Sequence, residues 1–256
     1  MTDEATTDRR TLLKLAGLGL GVAAVPTAAA VAAQGEPAAA PPAAGGHDMA
    51  GMNHAAPVAG GEPRPGYVFL NPDEAAFVEA FVDTLIPEDE LTAKGTDLGV
   101  AIFVDRQLYG GWGNGDRMYL QGPFLEGTPE QGYQLRLTPN QLVTAGIADV
   151  NDHVSATYAG NSFDTLEEAD RIKVVTALES ASIDLPTVPT RYFFNTLFQL
   201  VMDGFFADPI YGGNKGKASW KMLGYPGVGE MYADKIAEWR NRPYRVDEPL
   251  SIQDLM

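Results

Sequence analysis

The stretch from Thr190 to Phe206 constrains the fold most. Read as a helix, it places Tyr192, Phe193, Phe194, Leu197, Phe198, Leu200, Val201, Met202, Phe205 and Phe206 over most of its circumference. Arg191, Asn195, Gln199 and Asp203 recur every four residues and leave one narrow polar strip. A helix apolar nearly all round must be covered nearly all round. Two arrangements satisfy this: a central core helix ringed by others, or a helix with one flank turned to a partner chain.

Helical spacing recurs elsewhere. Asn71-Pro72-Asp73-Glu74 reads as a helix start, with an Asn cap, proline at the first position and acids at the positive end of the dipole. Phe77, Val78, Phe81, Val82, Leu85 and Ile86 follow, and Pro87 ends the run. A second helix is predicted from Leu98 to Leu108 behind Asp97. Thr138-Pro139 repeats the cap-plus-proline start, with Val143, Ile147, Val150, Val154 and Tyr158 as one stripe and Gly160 as the stop. Asp164 or Thr165 is expected to cap a further helix to about Ser180, with Leu166, Ile172, Val175 and Leu178 inward. Residues 109–137 read as a long irregular loop carrying Tyr109, Trp112, Tyr119, Phe124 and Tyr133, a length that often marks a functional or partner-bound segment. No alternating strand pattern stands out. The expected fold is all-α, a single helical domain over 67–256 with long Gly/aromatic-rich loops and an extended C-terminal tail.

The N-terminus has a different logic. Arg9 and Arg10 stand in Asp8-Arg9-Arg10-Thr11-Leu12-Leu13-Lys14, ahead of an apolar stretch from Leu15 to about Val25. This resembles the twin-arginine signal, whose translocon carries folded proteins. The alternative is an ordinary secretory signal that contains Arg-Arg. The apolar stretch is shorter than the ~20 residues that cross a bilayer. Residues 1–33 are therefore read as the signal peptide, with cleavage after Ala33; an uncleaved signal would act as an anchor. The absence of cysteine excludes a lipoprotein anchor, disulfides, thiolate metal sites, covalent c-type haem and a cysteine nucleophile. Residues 34–66, dominated by Ala, Pro and Gly, are expected to be a disordered linker, because they hold too little apolar bulk to offset their ordering entropy.

The formal net charge is −16, and removal of the signal barely changes it, since Asp3, Glu4 and Asp8 balance Arg9, Arg10 and Lys14. Nucleic acid is excluded as a partner for so acidic a surface. No dinucleotide fingerprint, phosphate loop, HExxH or GxSxG motif is present. His153 could act as a base but reads more simply as a helix-surface residue. Glu88-Asp89-Glu90 and Glu167-Glu168 read as solvated helix ends. Within the linker, His47, Met49, Met52 and His54 form a cluster of imidazoles and thioethers, ligands that suit soft copper. They are either a low-affinity copper tract or an incidental part of a tether. No catalytic residue and no cofactor-binding residue is assigned.

Near the C-terminus runs Asp203-Gly204-Phe205-Phe206-Ala207-Asp208-Pro209-Ile210-Tyr211-Gly212-Gly213-Asn214-Lys215, continuing through Ser219-Trp220-Lys221-Met222-Leu223-Gly224-Tyr225-Pro226-Gly227. A helix ends at Asp208-Pro209, and Gly212-Gly213-Asn214 permits positive φ. Phe205, Phe206, Asp208, Pro209, Tyr211, Gly212, Gly213, Asn214, Trp220 and Tyr225 form either a recognition surface or a loop folded back on its own core.

Together with Thr84-Leu85-Ile86-Pro87 and the paired arginines, these two runs resemble the gluconate 2-dehydrogenase subunit 3 family, over roughly residues 70–228. The resemblance implies an accessory role. In that family the catalytic partner is a larger FAD-dependent oxidoreductase similar to glucose–methanol–choline enzymes, which oxidises a sugar, sugar acid or polyol. The small subunit supplies the export signal and stabilises the flavoprotein, so FAD is expected in the partner and none in this chain. A multihaem cytochrome c subunit often carries electrons onward to the quinone pool. The expected location is the periplasm, at the membrane through the complex. A self-contained exported enzyme, a copper-binding protein using the His/Met tract, or an adaptor without redox chemistry are the competing readings.

Overall fold

The computed structural model describes residues 66–125, 127–228, 233–244 and 246–256. The chain falls into two units, Met1–Glu62 and Pro63–Met256, and every described residue belongs to the second. The signal, with Arg9 and Arg10, and the tract His47, Met49, Met52 and His54 lie outside the described residues.

Helix α1 (Pro72–Leu85) begins as its sequence dictates. The Asn71 side chain accepts hydrogen bonds from the Asp73 and Glu74 amides, and the Glu74 carboxylate accepts one from the Asn71 amide. This reciprocal cap satisfies amides that a helix start otherwise leaves without partners. Helix α2 (Val100–Tyr109) starts two residues later than the sequence predicts. Asp97 is not its cap. The chain turns through 95–99, and Gly99, at φ 78°, precedes the helix without any side-chain cap. Helix α3 (Pro139–Thr157) has the expected Thr138 cap, closed by Gln141. The next helix also differs from expectation: Ser162 caps a 3-10 turn over Phe163–Thr165, and α4 (Glu168–Glu179) begins beyond it. The turn has a packing reason. It drives Phe163 wholly into the core, 4.7 Å from the Phe77 ring centroid.

Helix α5 (Thr190–Phe206) is the centre of the domain. It packs most extensively against α2 and also against α3, α4 and α6 (Ala218–Leu223). Phe193, Leu197 and Val201 are fully buried, and Phe194 meets Phe81 edge-on at 6.3 Å. The polar strip Arg191, Asn195, Gln199 and Asp203 is the solvent line. The core-helix arrangement therefore holds for most of the circumference. Helix α7 (Ala233–Trp239) follows, and a 3-10 turn over Ile252–Leu255 ends the chain. Among the described residues there are seven α-helices and no strand, only a single parallel bridge between Gly227 and Leu250. No described helix is long and apolar enough to cross a membrane.

Buried carboxylates lock the connections. Asp105 on α2 is fully buried and accepts hydrogen bonds from the Val68, Phe69 and Leu70 amides, each at 2.9 Å. Asp149 on α3 accepts from the Thr187 amide and hydroxyl, which fixes the lead-in to α5. The long 109–137 loop is tied at both ends: Asn140 reaches Asn114, and Tyr192 donates to the Gly132 carbonyl. Along this loop Tyr109, Trp112, Tyr119, Phe124 and Leu125 stand exposed.

Candidate functional site

The segment from Asp208 to Tyr225 is built to fold back on the domain. Gly213 lies so close to α5 that a Cβ there would sit 2.1 Å from the Gly204 carbonyl oxygen, a backbone atom that cannot swing aside. A Cβ on Gly99 would likewise sit 2.4 Å from the Gly212 carbonyl. The two glycine pairs let three backbone segments touch, and the Lys215 amide completes the contact by donating to the Leu98 carbonyl. Asn214, fully buried at φ 48°, closes the loop internally. Its side chain donates to the Ala207 carbonyl and accepts from the Ser219 amide and hydroxyl.

This architecture divides the sequence-derived surface residues in two. Phe205 (3% exposed) and Trp220 (5%) are core side chains, not surface anchors. The Trp220 indole donates to the Phe206 carbonyl at 2.9 Å, at the C-terminal end of α5, so burial of its ring also satisfies an otherwise orphaned helix carbonyl. Gly212, Gly213 and Asn214 likewise serve the loop's own packing. Phe206 (38%), Tyr211 (51%) and Tyr225 (45%) remain exposed. Asp208 is buried and Pro209 opens the short 3-10 turn Pro209–Tyr211.

Asp208 also receives the C-terminal tail. One carboxylate oxygen accepts from the Ile210 amide and the other from the Ile252 amide, 44 residues on. The tail is fastened again where the Val228 amide donates to the Leu250 carbonyl and the Leu250 amide donates to the Pro226 carbonyl, and where Lys217 pairs with Asp254 at 2.8 Å. The Lys217 ammonium, helped by the Ser251 amide and hydroxyl, holds the Asp254 carboxyl well below the usual carboxylate range. A carboxylate depressed on folding contributes stability above its unfolded value, about 3.9, and loses it as pH falls through the folded one. The Asp254 carboxyl, followed by carbon-detected NMR, is therefore expected to titrate below pH ~3.9 and to move upward in Lys217→Met. A midpoint at the ordinary value would detach the tail from Lys217.

Beside this loop lies a shallow groove of about 580 Å³, lined by Phe103, Gln107, Gln199, Met202, Asp203, Phe206, Ala207, Asp208 and Tyr211. It runs between the C-terminal end of α5 and α2, open to solvent. Sequence reasoning named Met202, Gln199 and Asp203 as parts of that helix but missed Phe103 and Gln107 on α2. Their approach depends on Gly204, whose Cβ position is 2.8 Å from the Phe103 ring. No three His, Asp or Glu side chains converge as a metal cage among the described residues. With no strand described, the strand–glycine turn–helix cradle for a dinucleotide has no place among them either.

The geometry describes a helical domain with a self-packed glycine–aromatic loop and an exposed groove beside it. A family model described as gluconate 2-dehydrogenase subunit 3 matches residues 72–227, more than half of the chain, and the chain belongs to that family. The matched region contains α1 to α6 and the whole loop. The tail from 228 onward, which fastens that loop through Asp208 and Lys217, lies beyond it. No curated protein and no solved structure matches the chain.

Proposed function

We propose that this chain is the accessory subunit of a periplasmic FAD-dependent dehydrogenase similar to gluconate 2-dehydrogenase, acting on a sugar, sugar acid or polyol. The flavin and the reacting groups belong to a large subunit of the glucose–methanol–choline type. This chain contributes the twin-arginine signal through Arg9 and Arg10, passes the translocon folded with its partner, and stabilises the flavoprotein. The complex, not a span of its own, holds it at the membrane. The match over residues 72–227 carries the reading, because the family is one of dehydrogenase subunits. The exposed apolar groove and the exposed aromatics of the 109–125 loop support it, since contiguous exposed apolar surface marks sites of association.

The test is export in the native host. Arg9→Lys with Arg10→Lys is expected to leave both this chain and the flavin-containing subunit in the cytoplasm, and to remove dehydrogenase activity from the periplasm. Fractionation followed by activity staining reads the result. Normal periplasmic activity in the double variant would overturn the proposed escort role.

A further inference from the structure

The groove beside α5 carries two unusual features at once. Its apolar part, Phe103, Met202, Phe206 and Tyr211, sits at the C-terminal end of α5, beside the exposed polar strip of that helix. Its rim is acidic. Asp203 lies in the last turn of α5, where the helix dipole presents its negative end and favours cations. No basic residue occupies that turn, and among the described residues Asp203 accepts one hydrogen bond, from the Gln199 side-chain amide at 2.7 Å. Asp208, one turn beyond, is spent on two backbone amides. Neither carboxylate has an ion-pair partner among the described residues. An acid placed against the dipole, without a cation, beside an apolar trough is unfavourable for the free domain and favourable for a ligand that brings a positive charge.

We propose that this groove takes a segment of the dehydrogenase subunit that carries a large apolar side chain followed by an arginine or lysine. The apolar side chain lies on Met202, Phe206 and Tyr211, and the base pairs with Asp203. Gln107 and Gln199 at the sides donate to the segment's backbone carbonyls. Such a groove is too small for a whole stable interface, which buries roughly 1,200–2,000 Å². It is the anchor point, where a few side chains contribute most of the binding energy. The inference rests on the accessory-subunit reading and adds to it the surface and the chemistry of what it holds.

The experiment uses the affinity-tagged full chain, purified from its host with the flavin-containing dehydrogenase that accompanies it, and reads flavin per chain by visible absorbance. Asp203→Lys and Tyr211→Ser both alter exposed side chains, so both variants should fold, which circular dichroism checks. Asp203→Lys is expected to lower bound flavin at least tenfold and Tyr211→Ser several-fold. Asp203→Asn is expected to leave a complex whose dissociation depends less on salt than the wild type's. A wild-type chain that brings no flavoprotein overturns the accessory reading and this inference with it. A wild-type chain that brings flavoprotein, with both variants unchanged, overturns the groove alone. Variants that keep their flavin but lose self-association, measured by light scattering, would make the occupant a second copy and overturn it as well.

Discussion

Trp220→Ala is expected to destabilise the domain by about 3–5 kcal/mol, the usual range for truncating a buried tryptophan or phenylalanine. The side chain is 5% exposed, meets Tyr225 edge-on at 5.3 Å and donates its indole proton to the Phe206 carbonyl. Its loss leaves a cavity under α6 and an unsatisfied acceptor at the end of α5. For a domain of this size each kcal/mol moves the melting temperature by roughly 2–4 °C, so a fall on the order of 10 °C should appear by calorimetry. Tyr211→Ala, at an exposed side chain of the same loop, is expected to change stability by no more than about 0.5 kcal/mol. Equal melting temperatures for Trp220→Ala and the wild type would return the tryptophan to the surface.

That contrast shows what the sequence made legible. The helix starts at Asn71-Pro72 and Thr138-Pro139 are legible in the sequence, because a cap is a local device whose partners lie within three residues. The start of α2 is not. Asp97 has the chemistry of a cap, but the boundary is set by Gly99, and Gly99 is needed because Gly212, over a hundred residues away, presses against it. Phe205, Phe206, Tyr211 and Trp220 look alike as residues in a glycine-rich run. What separates them is the close approach of Gly213 to Gly204, which turns the loop inward, and no spacing announces that. The match over 72–227 bears out the family read from the same runs. The groove was half legible: an acid in the last turn of an apolar helix is visible in the sequence, but the α2 wall that makes it a groove is not.

Asp105 is hidden in the sequence for the same reason, since its partners lie far along the chain, and its replacement is expected to have the other large effect. The carboxylate is fully buried and binds three successive amides, Val68, Phe69 and Leu70, 35 to 37 residues earlier. No cation stands opposite it within ion-pair distance among the described residues, so the amide dipoles alone replace the water it gave up. Hydrogen bonds to a charged group contribute about 1.5–3 kcal/mol each and do not add fully, so Asp105→Ala should cost on the order of 3–5 kcal/mol. The three amides would be left buried or forced out to water, and the segment before α1 would peel away with Leu70, itself a core residue. Asn in place of Asp separates shape from charge. One oxygen accepts from Phe69 and Leu70 and the other from Val68, so an asparagine can keep the first pair only by pointing its own N–H at the Val68 amide. Asp105→Asn is therefore expected to lose about half as much as Asp105→Ala. Urea unfolding at neutral pH measures both, read as a lower midpoint at unchanged slope. If the segment before α1 is held only by its apolar contacts, the two variants will unfold with the wild type, and the three amides will have found other partners.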